Sequence, residues 1–193
     1  MKLAFAWTFR RPQKEEKVMD DGADIPTQMR LALRRLAKAV VVITCRHQGQ
    51  RFAMAATAVS ELSMEPPSLL ICVNRTASLF APLSAGADFC VNILHSSQET
   101  ISAVCSGKLK GEARFEQGNW SVSAQLGIPH LADAQAAFAC RNDRQIDYGT
   151  HAIFIGVVAE VYQHGEVDPL VYVDGGYAAV GFVKANAPAV RAG

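Results

Sequence analysis

The spacing of hydrophobic and polar residues predicts one helix followed by a series of strands. In residues 27–39, Met29, Leu33 and Leu36 recur at helical spacing, and basic residues occupy positions between them. This pattern is typical of an amphipathic helix with a solvated basic face. Residues 40–45 are then continuously apolar or β-branched up to Cys45, which indicates a buried strand.

Strands are the commonest predicted element in the rest of the chain. They are expected at residues 52–58, 68–73, 89–94, 136–141, 151–162 and 170–173. Short helices are expected at residues 78–84 and 96–105, where Ser96 and Glu99 have the spacing of a capping box. Because no regular β-α-β alternation appears, we expect a mainly β fold, an antiparallel barrel that is closed or nearly closed, with a few peripheral α-helices.

The two ends of the chain lack this periodicity. Residues 1–25 are polar and uneven, and residues 184–193 are rich in Ala and Pro, so both are expected to be flexible. Residues 26–183 would then form a single domain. A chain of 193 residues is long enough to bury a core without metals or disulfides.

Composition narrows the classes of partner and the compartment. The 19 basic and 18 acidic side chains give a formal net charge of +1, so the basic surplus of a nucleic-acid-binding protein is missing. No apolar run approaches the roughly 20 residues of a membrane helix, and the start lacks a signal-peptide pattern. The five cysteines are widely spaced and form no C-x-x-C pair, which favours buried, reduced thiols in the cytoplasm.

The common catalytic motifs are missing from the sequence. It contains no G-x-G-x-x-G, no phosphate-binding P-loop, no H-E-x-x-H and no G-x-S-x-G. The five histidines stand alone, so no metal site is expected. No set of catalytic side chains is predicted either. If the protein is an enzyme, a bound cofactor is therefore expected to supply the reactive group.

Two segments suggest a ligand site. Residues 53–60 combine small side chains with the hydroxyls of Thr57 and Ser60, which would let a flat ligand approach the backbone closely; a strand under a covering helix would have the same composition. Residues 74–78 follow a predicted strand with Asn74, Arg75 and Ser78. They fit either a phosphate cradle or an ordinary N-capped turn.

Three single residues have two interpretations each. Asn92 lies within a strand that looks buried, so its amide needs either a ligand or a neighbouring backbone as partner. His151 follows the Gly149-Thr150 turn and would lie at a pocket mouth or at the edge of the core. Tyr177 follows two glycines, and would either stack on an aromatic ligand or close one end of the barrel.

The order and spacing of these segments resemble the flavin reductase family, which has the FMN-binding split-barrel fold. Its members are small components of two-component flavin-dependent monooxygenases, and the most similar branch is the reductase component of 4-hydroxyphenylacetate 3-monooxygenase. The resemblance runs from about Arg30 to Ala179. It includes residues 36–44, 53–67, the Asn74 turn, Val91-Asn92, Arg114-Phe115, Gly149-Thr150-His151 and Leu170-Val171-Tyr172.

The resemblance implies an NAD(P)H:flavin oxidoreductase. Such a protein transfers hydride from NADH or NADPH to FMN or FAD and supplies reduced flavin to a partner monooxygenase, usually as a homodimer. His151 would contact the nicotinamide nucleotide, and Tyr177 would border the same space. The flavin-binding residues implied are Ala55, Ala56, Thr57, Ala58 and Ser60 along the ring and ribityl chain, Asn74, Arg75 and Ser78 at the phosphate end, and Asn92 beside the flavin.

The sequence departs from the family pattern at Ala55, at Thr150 and at Glu61, which stands where the family has Ser. Many members have Thr where this chain has Ala55, so a hydroxyl contact would be replaced by a backbone contact. Many have Asp where this chain has Thr150. Two other functions stay open: a flavin- or haem-binding barrel without turnover, and a flavin-dependent reductase of another acceptor such as a corrin cobalt or ferric iron.

Overall fold

The computed structural model describes residues 22–181. The expected tail at 184–193 and most of the expected extension at 1–25 lie outside these residues. The first helix, α1 (Ile25–Leu33), begins where the Asp24 side chain accepts a hydrogen bond from Thr27 N at 3.0 Å. It ends well before the predicted Ala39. None of its residues is buried.

Twelve strands follow or flank three short helices. The strands are β1 (Lys38–Ala39), β2 (Val41–His47), β3 (Gln50–Ala56), β4 (Val59–Met64), β5 (Pro67–Asn74), β6 (Phe89–Ile93), β7 (Trp120–Val122), β8 (Pro129–Leu131), β9 (Ala136–Tyr148), β10 (His151–Gln163), β11 (Val171–Val173) and β12 (Gly176–Ala178). The other helices are α2 (Phe80–Ser84) and α3 (Glu99–Ala103). No helix among the described residues is both long and apolar enough to cross a membrane.

The strands form three antiparallel sheets. The largest has the order β3-β2-β6-β9-β10-β5-β4, and β1-β11-β12 and β7-β8 form two small ones. The prediction of a mainly β fold is confirmed. Within residues 22–181 the large sheet does not close on itself, because β3 and β4 each pair along one edge only.

Strand β2 lies at the centre of the core and is buried on both faces. Val41, Ile43 and Cys45 face one apolar cluster, which includes Phe89 and Phe154. Val42 on the opposite face joins a second cluster. This two-sided burial explains why residues 40–45 are continuously apolar or β-branched, since a strand with one solvated face would alternate.

The two internal helices differ from their prediction at their starts. Helix α2 begins at Phe80 rather than at residue 78, and no side chain caps it. The predicted capping box is shifted by one residue: the His95 side chain accepts from Ser97 N at 3.1 Å, and Gln98 Oε1 accepts from His95 N at 2.9 Å. The two hydrogen bonds satisfy backbone N–H groups at the start of a short helical turn before α3.

Candidate functional site

The outer edge of β3 is the part of the predicted ligand segment with free backbone groups. Among the strands that the structure describes, only β2 pairs with β3, with Val42 opposite Ala55 and Val41 opposite Ala56. Ala53 O points away from β2, because it accepts a hydrogen bond from Arg114 instead. Successive residues of a strand alternate in direction, so the N–H and C=O of Ala55 point to the same outer edge as Ala53 O.

Arg114 links this edge to the loop before α2. Its Nη1 donates to Ala53 O at 2.5 Å and to Ser78 Oγ at 3.4 Å, while its Nε donates to Leu109 O at 2.9 Å. The guanidinium therefore lies between β3 and an exposed hydroxyl. Burial raises the pKa of the nearby Cys105 thiol to about 11, and the charge of Arg114 acts in the opposite direction.

The loop at residues 74–78 is held by its own hydrogen bonds. Asn74 Oδ1 accepts from both Thr76 N and Thr76 Oγ1 at 2.9 Å. The Arg75 side chain forms an ion pair with Asp147 at 3.3 Å and lies 5.9 Å from the Phe80 ring centre. Asn74 thus shapes the turn with its carbonyl, and Arg75 is directed toward β9 rather than toward β3.

His151 lies at the tip of the long β9–β10 hairpin. It is exposed, and it stands opposite Tyr148 in β9 and Asn74 in β5. Thr150 Oγ1 and His151 Nδ1 are 2.8 Å apart, and Arg75 N donates to Thr150 O at 3.0 Å. The structure therefore brings His151 together with the predicted phosphate-end residues Asn74 and Arg75.

Asn92 is not available to a ligand, which corrects its place among the flavin-binding residues. It is fully buried, its Nδ2 donates to Val42 O at 2.9 Å, and its Oδ1 accepts from Leu131 N at 2.8 Å. The other interpretation of the sequence, a neighbouring backbone as partner, is the one found here. Asn92 joins β6 to β2 and β8 and stabilises the core.

Tyr177 lies in the small sheet of β1, β11 and β12. Its hydroxyl donates to Ser102 Oγ at 2.9 Å, and its ring meets Tyr172 edge-on, with centroids 5.6 Å apart. His151 belongs to the large sheet instead. These contacts favour the interpretation in which Tyr177 closes one end of the fold.

The remaining predicted residues run from the end of β3 into β4. Ala56 and Thr57 are half-buried, whereas Ala58 and Ser60 are exposed. Ala58 O accepts from Cys72 N at 3.0 Å, and Ser60 Oγ donates to Glu61 O at 3.0 Å. Thr57 also lines a cavity of about 440 Å³ beneath α1, which was not predicted from the sequence.

Comparison with known proteins decides the family. The model of the flavin reductase like domain matches residues 33–181, which is most of the chain. The chain belongs to the flavin reductase family. The reductase component of an FADH(2)-dependent resorcinol hydroxylase from Rhizobium sp. (strain MTP-10005) is 41% identical over 152 residues, covering 78% of this chain and 84% of the relative.

Two further comparisons agree with this flavin reductase assignment. The FMN reductase (NADH) RutF of Methylorubrum populi is 37% identical over 148 residues, covering 77% of this chain and 73% of the relative. The crystal structure of BorF, the flavin reductase component of a bacterial two-component tryptophan halogenase, superposes with a TM-score of 0.75 at 26% identity. That match covers 82% of this chain and 99% of the neighbour.

Arg114 is the functional candidate that the sequence did not reveal. Arg114-Phe115 was part of the family resemblance, but its position in the chain gave no reason to assign it a role. Its partners lie 61 and 36 residues away, so only the folded chain shows that it joins β3 to the loop before α2.

Proposed function

We propose that the protein is an NADH-dependent flavin reductase that reduces FMN or FAD and releases it to a partner monooxygenase. The observation that carries the proposal is the outer edge of β3 beside Arg114 and Ser78, in a chain of the flavin reductase family. This edge combines free backbone groups, small side chains, a cation and a hydroxyl. A flavin needs all four, because it has a flat ring with a polar rim and a phosphate.

The arrangement of these residues would orient a bound flavin along β3. Ala55 presents an N–H and a C=O to the outer edge of β3, and its methyl side chain leaves room for a ring to approach. The Arg114 guanidinium and Ser78 Oγ lie beside Ala53, so the phosphate would be at the Ala53 end. The isoalloxazine would then extend toward Thr57. Asn74, with its Nδ2 amide directed by the turn, would assist at the phosphate end.

The chain's own task in the reaction is to bind and orient. Hydride passes from the nicotinamide C4 to the flavin N5 when the two rings are stacked about 3–3.5 Å apart. The N–H of Ala55 would stabilise charge on the polar rim of the ring. His151, exposed at the hairpin tip, would bind the nicotinamide nucleotide. No side chain needs to act as nucleophile or base.

The deciding experiment follows NADH oxidation at 340 nm with and without FMN, FAD and riboflavin. Turnover that depends on added flavin is the expected result. The ranking of the three flavins and of NADH over NADPH would give the specificity. If the protein binds flavin or haem but does not oxidise NADH, it is a binding protein without turnover, and the proposal is wrong. Flavin-loaded protein that reduces ferric iron or a corrin faster than free flavin would identify another acceptor.

The partner oxygenase, the split-barrel fold and the cellular compartment are also proposals. The names of the resorcinol hydroxylase and halogenase reductase components support a monooxygenase-type partner that receives diffusible reduced flavin. A split barrel is supported by the mainly β fold and the two outer strands β3 and β4, which are consecutive in the chain. Five free thiols support a reducing compartment such as the cytoplasm.

A homodimer is supported by large apolar side chains exposed on two strands of the large sheet, β4 and β9, which are separated by β5 and β10. Met64 on β4 is 83% exposed and Tyr148 on β9 is 82% exposed, and Leu62 and Ile146 lie on the same two strands. Apolar surface of this kind is typical of a contact between subunits. Sedimentation velocity should give twice the 20.8 kDa mass of the chain, and Met64→Ser with Tyr148→Ser should shift the protein toward monomer. A wild-type monomer would contradict the proposal.

A further inference from the structure

A cavity of about 440 Å³ lies between α1 and the β11–β12 turn. Its size falls within the range of small-molecule sites, roughly 300–1,000 Å³. Thr57 forms part of its wall, at the end of the ligand segment on β3. The cavity therefore adjoins the predicted flavin site at the end away from Arg114.

Within residues 22–181, two cations in the wall of this cavity have no acidic partner. Arg30 donates only to Thr27 Oγ1, at 3.2 Å, and none of the ion pairs within residues 22–181 involves Arg30 or Lys38. The third basic residue, Arg34, is paired with Asp174 at 3.0 Å. Two unpaired cations that converge on one cavity favour an anionic ligand.

The rest of the wall is apolar and includes one aromatic ring. Leu31, Leu36 and Tyr172 line the cavity, and they are 49%, 53% and 40% exposed. Large apolar side chains are not usually left exposed side by side unless something covers them. The Tyr172 ring provides a face on which a planar base could stack. The cavity thus suits a ligand that carries both a flat base and phosphates.

We infer that this cavity binds the adenosine phosphate half of NADH while its nicotinamide stacks on a flavin at β3. This inference rests on the proposed function. Arg30 and Lys38 would pair with the pyrophosphate, and Tyr172 with the adenine. FAD carries the same group, but its adenosine phosphate would extend from the flavin phosphate beside Ala53, away from this cavity. The cavity would therefore determine the affinity for NADH, at a position that reduced nicotinamide mononucleotide does not reach.

The test compares ligands that differ only by adenosine monophosphate. Dissociation constants are measured for FAD and FMN by flavin fluorescence, and for NADH and reduced nicotinamide mononucleotide by calorimetry. The variants are Arg30→Ala, Lys38→Ala and the double variant. Arg35→Ala is the matched control, because Arg35 is an exposed basic residue next to Arg34 but is not part of the cavity wall.

The inference predicts a loss of affinity confined to NADH. In the double variant the Kd for NADH should rise about tenfold or more, the size of one lost charged contact, while the Kd values for the other three ligands, and all four Kd values of the Arg35→Ala protein, stay within about twofold of wild type. A loss confined to FAD would overturn the inference. An equal loss for FAD and FMN would overturn the inference, and so would unchanged affinities for all four ligands.

Two controls separate this result from other failures. Sedimentation of each variant shows whether α1 serves only as a subunit contact; dissociation of a dimer with unchanged affinity ratios would overturn the inference. A wild-type protein that oxidises no NADH with any flavin contradicts the proposed function instead. The binding ratios remain measurable in that case, because they do not depend on turnover.

Discussion

His151 stands directly opposite Asn74 where β10 pairs with β5. The Arg75 N–H also donates to Thr150 O across the same junction. The proposed nucleotide contact and the proposed phosphate-end loop are therefore parts of one antiparallel ladder. A change in the position of the hairpin tip would move both together, so the two sites cannot vary independently.

Replacement of His151 by Ala should weaken the use of NADH and leave the flavin site intact. The side chain is exposed, and the ladder at this point is formed by backbone groups, so the fold should not change. We expect the KM for NADH to rise about tenfold, as for one lost contact of ~1.4 kcal/mol, with little change in the Kd for FMN. His164→Ala, another exposed histidine, is the control. An unchanged KM would remove His151 from the site.

Arg114 should matter more for phosphorylated flavins than for riboflavin. Arg114→Ala removes a cation beside Ser78 and the donor to Ala53 O, so we expect the Kd for FMN to rise about tenfold or more. Arg114→Lys keeps the charge but not the planar set of donors, and should recover part of the affinity. Equal losses for FMN and riboflavin would show that Arg114 only holds β3 in place.

The sequence predicted the parts of the fold where burial imposes a pattern. Strands β2, β6 and β10 were found because their residues are apolar or β-branched over several positions. Strand β4 was missed because it lies at a sheet edge and its Ser60, Glu61 and Leu62 are exposed, so no alternation marks it. The end of β9 was missed for the same reason.

The candidate site could be predicted only where adjacent residues in the sequence determine its structure. The Gly149-Thr150 turn places His151 at a hairpin tip, and a turn of this kind can be recognised from two residues. The role of Asn92 was undecidable, because the Leu131 N–H that donates to its Oδ1 lies 39 residues away. The role of Arg114 depends on partners 61 and 36 residues away, and the cavity beneath α1 is lined by residues from both ends of the domain.

Asn92→Ala should destabilise the protein without changing its affinity for flavin. The substitution leaves the buried Leu131 N–H without its partner, which costs about 1–3 kcal/mol. Urea unfolding should show the loss, and FMN titration well below the unfolding midpoint should give the wild-type Kd. Asn119→Ala, at an exposed position, serves as the control. A weakened Kd in a folded Asn92→Ala protein would restore Asn92 to the site.

Buried thiols should make the protein less stable at alkaline pH. Burial raises the pKa of Cys45 and of Cys140 to about 12, whereas both ionise near 9 in the unfolded chain. The unfolded state therefore loses protons first, so stability is complete below about pH 9 and falls as the pH rises toward 12. Each thiol contributes a slope of up to about 1.4 kcal/mol per pH unit. Urea unfolding at pH 8, 9 and 10 measures the slope, and Cys140→Ala should reduce it. An identical slope in that variant would contradict the prediction.

Gly156 should tolerate no side chain, because it lies where β10 crosses the core. A Cβ built there would be 2.5 Å from Phe89 Cζ and 2.7 Å from Cys140 Cβ, and the register of the β9–β10 pair shifts between Ile155 and Gly156. Gly156→Ala should therefore cost about 1–3 kcal/mol of unfolding free energy through overpacking. Gly181→Ala, with no atom within 4 Å of the new carbon, should be close to neutral.

A double variant tests whether the contact with Phe89 causes the loss. Because the Phe89 ring blocks the new methyl group, Phe89→Leu combined with Gly156→Ala should cost less than the sum of the two single substitutions. Strict additivity would show that the strain lies in the backbone at the register shift and not in the contact with Phe89.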